Sequence, residues 1–176
     1  YFHQVDDPYS FLAVQKLAAL QARYNIHFIS HLVSAPSAEF KGDATRYDAC
    51  SIADASSIGA FFGVLPPFAG TVPDQRQVDH ANQELVAALG STDPSAFAIS
   101  AIAVGENIWR RHASDDSGIQ SSDPVNLAAG DALQAELGHY FGATFYFEGE
   151  WFWGLDRLHL LEQRLIDAGY SSSPLS

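Results

Sequence analysis

The pattern of apolar and polar positions at the start of the chain predicts a β-α-β unit. Residues 1–5 and 26–33 are short runs rich in aromatic and β-branched residues, which favour strands. Between them, apolar residues recur at helical spacing over residues 11–22, and Asp7 and Pro8 supply an N-cap and a first helical position. We therefore expect two strands joined by a helix that begins at Pro8.

After residue 34 the pattern becomes purely helical up to about residue 122. Helices are predicted near residues 44–62, 75–89 and 94–112. A loop rich in Pro and Gly at residues 63–73 and a polar loop at residues 114–122 bound these segments. The Asp-Pro pair of the first helix recurs at Asp93-Pro94 and at Asp123-Pro124, so both pairs are predicted helix caps.

The last third of the chain predicts a helix, a β-hairpin and a closing helix. The first of these helices covers residues 124–137, and strands at residues 144–147 and 151–153 flank the turn Glu148-Gly149-Glu150. An amphipathic helix then covers residues 155–168. The strands at the two ends of the chain can bury their apolar faces by sharing one sheet. The sequence therefore predicts an α/β fold in which a long all-helical segment separates the two strand-containing parts of the chain.

Composition and charge narrow the classes of partner. The chain has 176 residues, and its hydrophobic fraction of 47% is enough for one domain with a buried core. The formal net charge of −12 would repel a phosphate backbone, so nucleic acid is excluded as a partner. No apolar stretch approaches the roughly 20 residues needed to cross a bilayer, and Cys50 is the single cysteine, interpreted as a small buried hydrophobe. These features predict a soluble protein of a reducing compartment, the cytoplasm.

Two motifs at opposite ends of the chain resemble those of a known family. Residues 7–13 (DPYSFLA) resemble the SPYSYLA motif that opens the first helix in 2-hydroxychromene-2-carboxylate isomerases and kappa-class glutathione transferases. Residues 142–145 (GATF), 148–150 (EGE) and 152–158 (FWGLDRL) resemble the GVPTF, DGE and FWGxDRL blocks of that family. The DsbA-type oxidoreductases are related proteins that carry CPxC at the first motif.

The resemblance implies a thioredoxin-like fold with a large all-helical insertion between its β-α-β and α-β-β-α halves. Residues 1–33 and 124–170 would form a discontinuous thioredoxin-like domain. Residues 34–123 would form the helical insertion, and residues 171–176 a tail. The chain would then be a DsbA-like or isomerase-like protein that binds a small molecule or a peptide in a cleft.

In that family the cleft lies between the start of the first helix and the loop before the hairpin. Asp7 and Ser10 stand where CPxC has its two cysteines, so disulfide exchange is chemically impossible. The resemblance leaves glutathione open as a cofactor, although the Asp7 carboxylate would compete with its thiolate for the positive end of the helix. The implied catalytic residues are Asp7, Ser10 and His139, and the implied substrate-binding residues are Pro8, Tyr9, Gly142, Ala143, Thr144 and Asp156.

Several alternatives remain at the level of the sequence. Asp7 is either a helix cap alone or the partner of His139 in a proton-transfer pair. His139 is alternatively a histidine after a helix C-terminus that offsets the helix dipole. No HxH or HExxH spacing occurs, so we predict no metal site. Ala143 aligns with a cis-proline of the family, and a trans bond is expected there. A non-catalytic binding or assembly domain, with a homodimer or a second domain as partner, is the alternative function.

Overall fold

The computed structural model describes residues 1–64, 68, 70–110 and 123–170. The predicted polar loop at residues 114–122 and the predicted tail at residues 171–176 lie outside these residues. The elements in chain order are β1 (Phe2–His3), α1 (Pro8–Val14), α2 (Leu17–Tyr24), β2 (His31–Leu32), α3 (Ala38–Lys41), α4 (Ala44–Phe61), α5 (Gln75–Leu89), α6 (Ala96–Arg110), α7 (Ala128–Glu136), β3 (Thr144–Phe147), β4 (Glu150–Trp153) and α8 (Leu158–Asp167).

The four strands form one mixed sheet in the order β2-β1-β3-β4. β1 and β2 are parallel, with Phe2 opposite His31, and the other two pairs are antiparallel. The predicted strands at residues 1–5 and 26–33 are therefore too long. Residue 4 already belongs to the turn that leads into α1, since the Asp7 N–H donates to the Gln4 carbonyl at 3.3 Å. The protein is thus a mixed α/β fold in which both ends of the chain contribute to one sheet.

The predicted hairpin is confirmed, with Phe147 opposite Glu150 across a two-residue turn. Glu148 and Gly149 have φ values of 49° and 89°, which is the left-handed pair that a tight hairpin turn requires. The strand after the turn begins at Glu150, one residue earlier than predicted. This hairpin forms the β3-β4 edge of the sheet.

Most predicted helices are present, and the deviations have local causes. α5 covers the predicted residues 75–89, whereas the predicted first helix is divided into α1 and α2 near Gln15. α7 begins at Ala128, with Leu127 as its N-cap residue, and the Asn126 side chain accepts from the Ala128 N–H at 2.9 Å. The prediction of a cap at Asp123-Pro124 was therefore wrong. α3 was not predicted, and a 3₁₀ turn precedes α8.

The predicted helical insertion packs directly on the first helix. α1 contacts both α4 and α6, and Ile52, Leu85 and Trp109 belong to the same buried cluster as Phe11 and Phe145. Cys50 lies on the exposed side of α4, so the prediction that it is buried was wrong. Within the described part of the chain, no helix combines the length and the apolar character that a membrane crossing requires.

Candidate functional site

The N-terminus of α1 is capped by Asp7. Its Oδ2 atom accepts hydrogen bonds from the Ser10 N–H at 2.9 Å and from the Ser10 hydroxyl at 2.7 Å. Its Oδ1 atom accepts from the Tyr9 N–H at 3.3 Å, and Pro8 occupies the first helical turn, where a missing N–H costs nothing. The carboxylate therefore satisfies donors that the helix itself leaves free, as the cap prediction required.

The hydroxyl of Ser10 joins three segments of the chain. Besides donating to Asp7, its Oγ atom accepts from the Gln4 N–H at 3.2 Å and from the Ala143 N–H at 2.7 Å. Ser10 is fully buried, so these partners replace water completely. This one oxygen holds the start of α1 against a loop 133 residues further along the chain.

The loop before β3 lies against this cap. A Cβ atom on Gly142 would come within 2.6 Å of the Gln4 Cβ and 2.7 Å of the Ser10 Oγ, so glycine is required for the close approach. Ala143 has a φ of 55° and donates its N–H to Ser10, while its carbonyl accepts from the Gly154 N–H at 2.9 Å. The bond before Ala143 is trans, as expected, and both backbone polar groups of Ala143 are used inside the protein.

A narrow cleft of about 20 Å³ opens beside Asp7, with room for about one water molecule. Gly142 and Trp153 form one wall, and Tyr47 of α4 faces them. The cleft adjoins a wider groove of about 490 Å³ between α1 and α4, and Tyr9 lines both spaces. The Tyr9 hydroxyl donates to Asp54 of α4 at 2.7 Å, which ties the two helices together across the groove.

Burial changes the acidity of Asp7. It raises the pKa of this carboxyl to about 6, against the hydrogen bonds from Ser10 and Tyr9, and the nearby Asp6 raises it slightly further. Asp93 likewise accepts from the N–H and hydroxyl of one serine, Ser95, but it is exposed and its pKa is lowered by these hydrogen bonds. Because of its burial, Asp7 can gain and lose a proton near neutral pH, whereas Asp93 cannot.

The structure brings together some of the predicted site residues. Asp7, Pro8, Tyr9 and Gly142 line the cleft, and Ser10 and Ala143 lie directly behind it. The Thr144 hydroxyl instead donates to the Phe141 carbonyl, at 3.1 Å, and is buried behind the loop.

Two predicted site residues lie outside the cleft lining. The Nδ1 atom of His139 accepts from the Phe141 N–H at 3.2 Å, and its ring lies 4.7 Å from that of Trp151. Burial lowers the pKa of His139, and no hydrogen bond joins it to Asp7 among the described residues. Asp156 is exposed beyond the end of β4, next to Arg157.

The far wall of the cleft was not predicted. Lys41 and Asp48 lie there 3.9 Å apart, and the Lys41 ammonium is 5.7 Å from the centre of the Tyr47 ring. Tyr47, Ser51 and Asp54 are spaced by four and three residues, so helical periodicity alone places them on one face of α4. That face could have been identified from the sequence, but its packing against α1 could not.

Comparison of the chain with protein-family models, curated proteins and solved structures gives no match. The described residues also contain no group of three or more His, Cys, Asp or Glu side chains placed to hold a metal ion.

Replacing Ser10 with alanine is expected to lower the free energy of unfolding by about 2 to 4 kcal/mol, measured by urea denaturation. The substitution leaves the buried N–H groups of Gln4 and Ala143 without an acceptor, and such groups cost about 1 to 3 kcal/mol each.

Ser95→Ala is the matched control, because the N–H and hydroxyl of Ser95 also donate to an aspartate, the exposed Asp93 just before α6. We expect it to cost less than about 0.5 kcal/mol. Equal losses for the two variants would show that the long-range bond to Ala143 contributes nothing.

Replacing Asp7 with asparagine is expected to remove the part of the free energy of unfolding that depends on the protonation of Asp7. The pKa of Asp7 is about 6 in the folded protein and 3.8 as the reference value, so the folded state binds the proton more tightly. Protonation of Asp7 therefore stabilises the folded state fully below pH 4. This stabilisation, up to about 3 kcal/mol of the free energy of unfolding, is lost as the pH rises through 6.

The measurement is the free energy of unfolding of wild type minus that of Asp7→Asn, from pH 4 to 7. This difference should become smaller as the pH rises. Asp93→Asn is the control, and its own free energy of unfolding should still decrease between pH 4 and 7 as that of wild type does, because the pKa of Asp93 is lowered and not raised. A difference that is flat or that rises with pH contradicts the account.

Proposed function

We propose that this chain is a thioredoxin-like protein resembling DsbA and 2-hydroxychromene-2-carboxylate isomerase, in which Asp7 replaces the reactive cysteine or serine. It binds a small molecule in the groove between α1 and α4, which adjoins the narrow cleft beside Asp7. The chemistry proposed there is proton transfer by the Asp7 carboxyl, of the kind an isomerase uses, without thiol exchange. The observation that carries this proposal is the 2.7 Å hydrogen bond between the Ser10 Oγ and the Ala143 N–H.

The sheet supports the fold part of the proposal. A parallel β1-β2 pair joined through helices, followed at the other end of the chain by an antiparallel hairpin next to β1, is the arrangement expected of a thioredoxin-like sheet. The helices between them would be the insertion over residues 34–123. The two motifs that carry the resemblance meet at Ser10 and Ala143, as the family's cleft requires.

The site geometry argues against thiol chemistry and against binding of a peptide backbone at this loop. Asp7 puts a carboxylate where the helix N-terminus would otherwise stabilise a thiolate. The N–H and carbonyl of Ala143 are both hydrogen-bonded internally, so this residue offers no free edge to an extended peptide. A small molecule is therefore the better candidate, and it would lie in the open groove of about 490 Å³ beside Tyr9.

The acidity of Asp7 supports a role in proton transfer. A carboxyl with a pKa of about 6 is present in both protonation states near neutral pH, which is the condition for acting as general acid and base. His139 is not hydrogen-bonded to Asp7, so in this proposal the carboxyl works alone and His139 supports the Phe141 backbone.

A non-catalytic binding domain is the second candidate. It is favoured by one observation, which is that the Ser10 Oγ and both carboxylate oxygens of Asp7 are already engaged in internal hydrogen bonds. Under this alternative Asp7 and Ser10 only connect segments, and the aromatic residues around the cleft bind a partner.

Calorimetric titration with glutathione tests whether Asp7 occupies the thiolate position. We expect wild type to bind it at least tenfold more weakly than Asp7→Ser, because the substitution removes the carboxylate that repels the thiolate. Asp93→Ser removes an exposed aspartate that accepts from a neighbouring serine just before α6 and does not line the cleft, so this variant should bind like wild type.

Equal affinity of wild type and Asp7→Ser would show that Asp7 does not stand at the thiolate position. The absence of binding by both variants would contradict the proposed relation to the glutathione-binding family.

A further inference from the structure

A second hollow lies at the opposite end of the sheet from Asp7. It occurs where β1 and β2 begin and β3 ends, between α7 and α8, and has a volume of about 510 Å³. None of the residues that line it also lines the cleft beside Asp7. Its walls include Phe28, Ile29, Leu133, Phe145, Phe147 and Tyr170.

The chemistry of this hollow differs from that of the rest of the surface. The chain has a net charge of −12, but no Asp, Glu, Lys or Arg side chain lines the hollow. The α-amino group of Tyr1 also lies there and donates to the Ile29 carbonyl at 2.8 Å. Burial lowers its pKa to about 5, so this group is neutral at pH 7. Polar side chains are limited to tyrosine hydroxyls, one asparagine and the imidazoles of His27 and His31. An ion placed there would lose its hydration without gaining a charged partner, so the lining disfavours charged ligands of either sign.

Aromatic rings give the hollow fixed walls. The rings of Phe28 and Phe145 meet edge to face at 5.6 Å, and those of Phe147 and Tyr170 do so at 6.1 Å. On the other side, His31 stacks on Phe2 at 5.2 Å, which holds its imidazole beside the opening. Rings already packed against one another lose little freedom when a flat molecule binds between them.

Several of these apolar side chains lack a partner of their own. Leu133 and Leu137 of α7 are only half-buried, and Ile29 at the rim is 75% exposed. They converge on one concave space rather than being scattered singly over the surface. A volume of this size lies within the range of pockets that enclose small organic ligands.

From the volume, the uncharged lining and the ring walls together, we infer that this hollow is a binding site for an uncharged, ring-containing small molecule. The ligand's ring system packs between the phenylalanines and the leucines of α7, and His27 or His31 at the opening hydrogen-bonds to a polar substituent. This site is independent of the function proposed for the Asp7 cleft, because the two share no residue.

The test uses the neutral dye N-phenyl-1-naphthylamine, whose fluorescence rises in apolar surroundings. We expect saturable binding of one dye per chain. Ile29→Asp places a charge at the rim of the hollow and should weaken the affinity at least tenfold. Ile99→Asp is the matched control on α6, since Ile99 is also exposed, at 62%, and should stay within twofold of wild type.

A second variant, Leu133→Trp, fills the hollow from α7 without introducing charge and should also weaken dye binding at least tenfold. Circular dichroism confirms that each variant is folded. Absence of saturable binding by wild type, or equal affinities for Ile29→Asp and Ile99→Asp, would overturn the inference. Binding of the anionic dye 8-anilinonaphthalene-1-sulfonate as tightly as the neutral dye would overturn the choice of an uncharged ligand.

Discussion

One buried hydroxyl group connects the two ends of this chain. The Ser10 Oγ donates to Asp7 and accepts from the backbone of Gln4 and Ala143, so it uses its full hydrogen-bonding capacity without water. The cap of α1, the end of β1 and the loop that leads into β3 are thereby fixed relative to one another. The position of the cleft and the orientation of the Asp7 carboxyl both depend on this arrangement, because the Oδ2 atom of Asp7 is bonded to Ser10 twice.

The same arrangement determines the chemistry that the site can perform. A helix N-terminus stabilises negative charge, and in this protein that charge belongs to the chain itself. Burial works in the opposite direction and raises the pKa of Asp7 to about 6, whereas the pKa of the exposed Asp93, which also accepts from a serine N–H and hydroxyl, is lowered. The balance between a favourable helix end and an unfavourable buried environment leaves a carboxyl that exchanges its proton near neutral pH.

The sequence predicted local structure better than it predicted the site. Caps and turns depend on neighbouring residues, so the start of α1 at Pro8, the hairpin turn at Glu148-Gly149 and the whole of α5 followed from the pattern. The strands were predicted too long because apolar runs do not reveal where pairing stops. Cys50 was assigned to the core because free cysteines are usually buried, but the face of α4 that carries it is exposed.

The candidate site was predictable only in part, because the sequence pattern does not show which distant segments pack together. Asp7, Tyr9 and Gly142 could be named because they belong to two motifs, and the structure places all three at one cleft. Lys41 of α3 and Tyr47 of α4 complete the lining of that cleft. They are more than 30 residues away from Asp7 in the sequence, so their position depends on tertiary packing. The uncharged hollow at the other end of the sheet is lined by residues of five elements and their loops, so no local sequence pattern could predict it.

The most direct test of the account is a nuclear Overhauser measurement between the Ser10 β-protons and the Ala143 amide proton. Because the Ser10 Oγ lies 2.7 Å from the Ala143 nitrogen, these protons are close enough to give a strong cross-peak. We expect that peak together with slow solvent exchange of the Ala143 amide. A folded protein that shows the internal cross-peaks of α1 and of the hairpin but no peak between these two residues would contradict it.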